Sequence, residues 1–282
     1  MDKYTDGIMS FTQNSGNQEA RGGGKGMGAR FFSGMLEELD AEREFHHDLA
    51  SSKLYWAPPA NGQMKHASAP SANGLVIPRL DRLIQLAGSS TTTPARDIVL
   101  SGLRLMHSAP TFCCDHPYES ISGGDWSLHR GGAVFFENVT DSTMSGCLVD
   151  HPEGNGIILN GYTERLTITR NEVASSGDSS VISVGVARFM DGRVGSYPRN
   201  NTISNNHLHH WGVWGKQSSA YFGGIAREQH VLQNVIHDGP RAGINQNDAF
   251  AGGHKFAFNL IFNTGSTLFS FDSIYLIAFD SL

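Results

Sequence analysis

The sequence predicts an all-β protein wound as a right-handed parallel β-helix, and three observations lead to this fold class. An apolar pattern recurs from about residue 97 onward, at intervals of 24 to 46 residues. Glycine supplies 33 of the 282 residues without a regular period, which is typical of a chain with many tight turns. Asparagine is concentrated in the repeating region, where 13 of the 17 residues lie at or after Asn138.

The chain divides into four predicted parts. Residues 1–30 are rich in Gly, Ser, Asn and Gln and predict a flexible leader. Residues 31–95 mix short apolar runs with turn signals, which predicts an N-terminal segment of strands and loops leading into the solenoid. Residues 96–266 carry the repeat and predict the β-helix, and residues 267–282 form an atypical C-terminal tail.

Six copies of the repeat share one pattern. An apolar residue is followed three places later by a small residue or Asn, and two places after that by another apolar residue. The copies are Ile98-Ser101-Leu103, Met144-Cys147-Val149, Ile168-Asn171-Val173, Ile203-Asn206-Leu208, Val231-Asn234-Ile236 and Phe256-Asn259-Ile261. No stretch shows helical spacing of apolar residues over ten positions, so each period is expected to be one turn of a coil of strands.

The asparagines fit such a coil. Equivalent residues of successive turns would lie about 4.8 Å apart, and an Asn side chain carries both a donor and an acceptor. A ladder of Asn side chains is therefore predicted at a bend between strands. The longer intervals contain polar insertions at 111–130 and 188–200, which are expected to be loops.

Composition excludes several classes of function. The net charge is −6, so there is no basic surface to bind nucleic acid, and the most apolar stretch is too short to cross a membrane. Cys113, Cys114 and Cys147 match no zinc-binding pattern. The glycine-rich run around Lys25 lacks the Ser or Thr of a phosphate loop, so neither a cofactor nor a metal is expected.

Two segments carry a further signal: the first comprises 39–48 and 53–59, and the second runs from Asn234 to Asp248 and continues through 252–254 and 259–264. Both resemble the pectin-lyase-like β-helix proteins similar to glycoside hydrolase family 141, although Glu42-Arg43 replaces the family's Pro-Gly in the first. The resemblance implies a secreted, carbohydrate-active protein, with a glycoside hydrolase of plant or algal cell-wall polysaccharide as the favoured activity. The resemblance ends after Thr264, which predicts that the chain is a fragment. A secreted protein is expected to carry a signal peptide, and Met1–Ser10 shows no such pattern.

Reading the repeat in columns predicts the site. The column four places after the Asn position contains His151, Ser175, His210, Asp238 and Asn263, so His210 and Asp238 are expected on neighbouring turns about 5 Å apart. Hydrolysis of a glycoside needs two carboxyl groups, and the predicted catalytic pair is Asp238 and Asp248. The predicted substrate-binding residues are His210, Trp211, His237, Arg241, Asn247, His254, Asp150 and His151.

Two other functions remain open. A non-catalytic carbohydrate-binding or structural β-helix would need only the sugar-binding residues. A polysaccharide lyase would need clustered carboxylates for Ca²⁺ and an Arg or Lys base, for which Arg241 is the one candidate.

Overall fold

The computed structural model describes residues 3–5, 8–10, 35–42, 44–48, 50–57, 77–111, 119–120, 127–188, 191–247, 251–265 and 275–280. Within these ranges the chain is nearly all β and contains no α-helix; a short 3₁₀ turn spans Leu36–Glu38. The all-β prediction is therefore confirmed. In the same ranges, no helix has the length and apolar character needed to cross a membrane.

The strands are numbered along the chain. The first ten are β1 (Lys3–Thr5), β2 (Ile8–Ser10), β3 (Phe45–Asp48), β4 (Lys53–Trp56), β5 (Ile84–Ala87), β6 (Ala95–Arg96), β7 (Val99–Ser101), β8 (Arg104–Ser108), β9 (Glu119–Ser120) and β10 (Ser127–Leu128). The next ten are β11 (Gly132–Thr140), β12 (Thr143–Ser145), β13 (Leu148–Pro152), β14 (Asn155–Glu164), β15 (Thr167–Thr169), β16 (Glu172–Ala174), β17 (Val181–Val184), β18 (Val186–Arg188), β19 (Asp191–Ser196) and β20 (Thr202–Ser204). The last nine are β21 (His207–His209), β22 (Ser219–Gly224), β23 (Ala226–Arg227), β24 (His230–Leu232), β25 (Val235–Gly239), β26 (Ala242–Gln246), β27 (Ala251–Gly252), β28 (Lys255–Thr264) and β29 (Tyr275–Asp280).

Most strands belong to three parallel stacks. The first stack runs β5-β11-β14-β17-β22-β26. The second runs β7-β12-β15-β20-β24 and ends on the first part of β28. The third runs β8-β13-β16-β21-β25 and ends on the last part of β28. β29 pairs antiparallel with β28, and the antiparallel pair β18–β19 occupies the insertion predicted before residue 200.

Chain contacts divide the protein into two compact units. One comprises Met1–Glu19 and Pro78–Leu282, and the other comprises Ala20–Ile77. The second unit contains the antiparallel hairpin β3–β4. The first unit contains the three stacks, and β5, which lies before residue 96, and β6, which ends at Arg96, both pair with β11.

The predicted register holds in five of the six copies. Met144, Ile168, Ile203, Val231 and Phe256 are paired in the second stack, strand by strand. The first copy is wrong by two residues, because Leu100 pairs with Met144 and Leu105 pairs with Val149. Ile98 and Leu103 also match the pattern, because apolar residues alternate through this segment and two registers have the same spacing.

One core cluster receives side chains from all three stacks. Its members from the first stack include Phe136, Ile157, Leu159, Val181 and Tyr221; the second contributes Met144, Ile168, Ile203 and Val231; the third contributes Val149, Val173, Leu208, Ile236 and Ile261. Complete burial of each large apolar side chain stabilises the fold by about 1.5–3 kcal/mol. In the second and third stacks the alternate residues face outward, whereas in the first stack Phe135, Ile158, Ile182 and Phe222 form a second buried cluster.

The predicted asparagine ladder is present and buried. The backbone N–H groups of Asn171, Asn206 and Asn234 each donate to the side-chain oxygen of the next Asn, at 3.0, 2.9 and 3.0 Å. The ladder ends on Asn259, whose amide donates to the Val231 carbonyl at 2.8 Å. These bonds satisfy backbone groups at the bend between the second and third stacks, where strand pairing is interrupted.

A second bend follows the third stack. His107, His151, Ser175, His210, Asp238 and Asn263 occupy equivalent positions there, with φ between 51° and 58°. Asn, Asp and His tolerate this left-handed conformation better than most residues. Backbone geometry therefore accounts for part of the polar character that the sequence shows in this column.

Candidate functional site

A cluster of ionisable and polar side chains lies on the outer face of the third stack and on the bend after it. We call Glu172, His207, His209 and His237 the histidine patch, and His210, Asp238 and Asn263 the corner cluster. Strand pairing brings them together, since β21 lies between β16 and β25 and β25 pairs with β28.

Asp238 is the centre of the corner cluster. One carboxylate oxygen accepts a hydrogen bond from His237 Nδ1 at 2.7 Å, and the other accepts one from the Asn263 amide. His210 Nε2 lies 3.8 Å from the carboxylate. The predicted proximity of His210 and Asp238 is therefore present in the structure.

The same contacts hold the pKa of Asp238 below its usual value. The hydrogen bond with His237 is the largest cause, the Asn263 bond adds to it, and partial burial opposes them. The carboxyl group is thus in its anionic form at neutral pH.

The histidine patch is more closely connected than the sequence predicted. His209 Nε2 lies 3.2 Å from Glu172 Oε1, and His207 Nε2 lies 2.7 Å from His237 Nε2. The rings of His209 and His237 are parallel, with centroids 5.2 Å apart. The pKa of His207 is lowered, first by burial and then by the positive charge that its neighbours His209 and His237 can carry.

Asp150 and His151 form a separate pair on the same face. His151 Nδ1 lies 2.7 Å from Asp150 Oδ1, and the His151 ring contacts that of His107 at 5.4 Å. β13 is three strands away from β25 in the third stack, so this pair lies apart from the corner cluster.

Trp211 does not occupy the exposed position that the sequence predicted. Its side chain is 2% exposed and belongs to the core, and a Cβ atom at Gly239 would come within 2.0 Å of its ring. The chain turns inward directly after the left-handed residue His210, which carries the indole away from the surface. A sugar ring has no access to Trp211, so the prediction that Trp211 binds substrate is wrong.

Two other predicted binding residues are also buried. Asn247 donates its backbone N–H to the Gly223 carbonyl at 2.8 Å, and His254 Nδ1 accepts the backbone N–H of Gln229 at 3.2 Å. Both residues are only 8% exposed, so direct contact with a substrate is contradicted for both. Arg241 is half-buried just after the bend, and Asp248 lies outside the described residues.

Four residues on or near this face are not among the site residues predicted from the sequence. Glu172 and His207 lie directly after the Asn position and His209 lies one place before His210, and the sequence predicts no role for any of the three. Trp214 is 41% exposed, and its Nε1 donates to Glu153 Oε2 at 2.8 Å. Trp214 follows the same bend as His210, and a short polar loop around an aromatic residue was the signal available for it.

Comparison with known proteins agrees with the architecture. No protein-family model and no curated protein matches the chain. A solved structure named as a glycoside hydrolase aligns with a TM-score of 0.62 at 15% identity, over 82% of this chain and 44% of that one. The chain shares the fold of that hydrolase. It spans less than half of that protein's length.

Proposed function

We propose that this protein is a carbohydrate-active right-handed parallel β-helix whose bend after the third stack binds a polysaccharide, with glycoside hydrolysis as its activity. The three parallel stacks around one core support the β-helix, as does the likeness to a glycoside hydrolase structure. The resemblance noted in the sequence points to the same class of substrate.

The corner cluster is the observation that carries the proposal. Asp238 is partly exposed and is held by donors on two sides, while His210 stays exposed beside it. A carboxylate fixed in this way can act as nucleophile or general base at a glycosidic centre, or bind sugar hydroxyls. Its left-handed backbone would favour Asn as well, so the bend alone does not require an acid at this position.

The second carboxyl group is assigned to Asp248. A glycoside hydrolase needs a proton donor about 5–5.5 Å from a nucleophile or about 6.5–9.5 Å from a base. Asp248 is the next acidic residue along the chain after Asp238 and follows β26, so we assign it as the partner. His210, His237, Arg241, Asp150 and His151 are assigned to substrate binding around them.

An exposed indole supplies the apolar contact that Trp211 cannot. The Trp214 ring is fixed by its hydrogen bond to Glu153 and presents a surface on which a sugar ring can stack. We therefore assign Trp214 as a binding residue along the same bend.

The test compares three variants on a panel of plant and algal polysaccharides. Asp238→Asn and Asp248→Asn should each lower the release of reducing ends by at least about a hundredfold while leaving glycan binding measurable. Asp97→Asn is the matched control, because Asp97 also has a left-handed backbone, with φ of 59°, at a different bend. Unchanged turnover in Asp238→Asn would refute the assignment.

A non-catalytic binding module is the second candidate, and the exposed Trp214 beside hydrogen-bonding residues favours it. In that case the wild type binds glycans in calorimetry without releasing reducing ends, and Trp214→Ala abolishes binding. The lyase alternative has less support. Among the described residues, the group able to hold a metal is rich in histidine, whereas Ca²⁺ prefers oxygen ligands.

A further inference from the structure

The histidine patch has the geometry of a metal site. His207 and His209 lie two residues apart on β21, so both face outward while Leu208 between them is buried. Glu172 pairs with His207 on one side, and His237 pairs with His209 on the other. Three neighbouring parallel strands therefore present four ligand-type side chains to one small area.

The distances match the size of a coordination sphere. One ligand atom from each of Glu172, His207 and His209 lies within 4.8 Å of the other two. Ligand atoms around a tetrahedral ion with bonds of about 2.0–2.1 Å are about 3.3 Å apart, so small side-chain rotations would close the site. Strand pairing already fixes the backbone positions, which lowers the entropic cost of gathering the ligands.

His237 completes the set. Its Nε2 lies 2.7 Å from Nε2 of His207, so the lone pairs of two imidazoles converge on the same region unless a proton lies between them. A cation would use both lone pairs at once. This contact is an observation independent of the Glu172 group.

Asp238 orients His237 in the way that metal sites commonly use. Its carboxylate accepts the Nδ1 proton at 2.7 Å, which leaves the Nε2 lone pair free to face outward. The Asp238 carboxylate thus contacts the His237 ring at Nδ1, and the metal ion would bind the same ring at Nε2. In this arrangement Asp238 is a positioning residue for the metal.

We propose that Glu172, His207, His209 and His237 bind one divalent transition-metal ion of the zinc class on the outer face of the third stack. Three imidazoles and one carboxylate suit Zn²⁺ and exclude a preference for Ca²⁺ or Mg²⁺, which take oxygen ligands. The Glu172 side chain is 49% exposed, so the ion can enter directly from solvent. The ion would tie β16, β21 and β25 together.

The metal site does not depend on the hydrolase proposal, and its test measures binding alone. The full chain, prepared without a histidine tag and freed of metal with a chelator, is titrated with ZnCl₂ in a calorimeter at pH 7.5. We expect one Zn²⁺ per chain and a melting temperature that rises with zinc concentration. Co²⁺ should give the visible absorption of a four- or five-coordinate site.

Variants distinguish this site from adventitious binding. His207→Gln/His209→Gln should weaken Zn²⁺ binding at least a hundredfold, and Asp238→Asn should weaken it about ten- to a hundredfold through the orientation of His237. His230→Gln is the control, since His230 occupies a strand of the second stack and should leave the affinity unchanged. Glu172→Gln, at an exposed position, serves if the double variant fails to fold.

The outcomes are decisive in both directions. Stoichiometric binding that the ligand variants lose and His230→Gln keeps supports the site. Binding of much less than one ion per chain, or an affinity that Glu172→Gln and the double variant leave unchanged, overturns it. Either result leaves the hydrolysis assay unaffected as a separate test of the polysaccharide-binding bend.

Discussion

The ring of His254 packs against Phe256, with centroids 5.7 Å apart, and its Nδ1 accepts the backbone N–H of Gln229. Burial is the largest cause that lowers the pKa of His254, to about 4; a hydrogen bond with the Ala226 backbone opposes it, and the charge of His230 adds to it. The folded protein therefore keeps this imidazole neutral. In the unfolded chain the same group has an ordinary pKa near 6.5.

This difference predicts how acid affects stability. Below pH 6.5 the unfolded chain binds a proton at His254 that the folded chain refuses, so stability is lost as the pH falls from 6.5 towards 4. Between pH 7 and pH 5 the loss from this residue amounts to about 2 kcal/mol. Urea unfolding at several pH values should show it as a steeper decline in the wild type than in His254→Asn or His254→Phe. If all three proteins decline in parallel, His254 does not titrate as proposed.

At the scale of single residues, the sequence predicts one feature of this face and misses another. The closeness of His210 to Asp238 followed from column positions alone, because strand pairing fixes those positions. The burial of Trp211 did not follow from the column positions, because the chain turns inward one residue after the left-handed His210. Whether an indole after a bend faces solvent or core depends on packing against Gly239, and no local pattern encodes that contact.

At the scale of elements, the asparagine ladder holds the bend between the second and third stacks. Asn234 accepts hydrogen bonds from the backbone and side chain of Asn206, at 2.9 and 3.0 Å, and donates to the carbonyl of Ile203 at 3.0 Å. The backbone N–H and side-chain amide of Asn206 and the carbonyl of Ile203 all belong to buried residues. Each buried polar group left without a partner costs about 1–3 kcal/mol.

Asn234→Ala should therefore lower the free energy of unfolding by at least about 3 kcal/mol, since it removes several of these bonds together. Asn205→Gly is the matched control: Asn205 is exposed with φ of 55°, so glycine can replace it at little cost. Urea unfolding monitored by fluorescence measures both variants. Equal, small losses would mean that the ladder contributes little to stability.

The elements also explain how far the sequence predicts the site. The spacing of apolar residue, Asn and apolar residue is local, so it fixed the register of the copies from Met144 to Ile261. The alternating apolar residues between Ile98 and Leu105 fit two registers equally well, and only pairing with β12 and β13 decides between them. Glu172 and His207 escaped notice because a ligand set spread over three strands has no signature within any one of them.

At the scale of the molecule, both proposed sites depend on the parallel order of the stacks. Pairing in the second stack links Val99, Thr143, Thr167, Thr202, His230 and Lys255 in one line across the strands. Five strand spacings separate its ends, which is about 24 Å. The third stack has the same strand order as the second. His210 and Asp238 are therefore neighbours only if the strand order of the second stack is correct.

Electron–electron distance measurements between spin labels test this order most directly. Labels at Val99 and Lys255, in a chain whose native cysteines are replaced, should lie about 24 Å apart at the backbone, and labels at Thr143 and Lys255 about 19 Å. Val99 is 69% exposed and Lys255 is exposed, so the labels should not disturb the core. The account predicts that the first separation exceeds the second by about 5 Å. Equal separations, or a longer one from Thr143, would contradict the parallel stacking and with it both proposed sites.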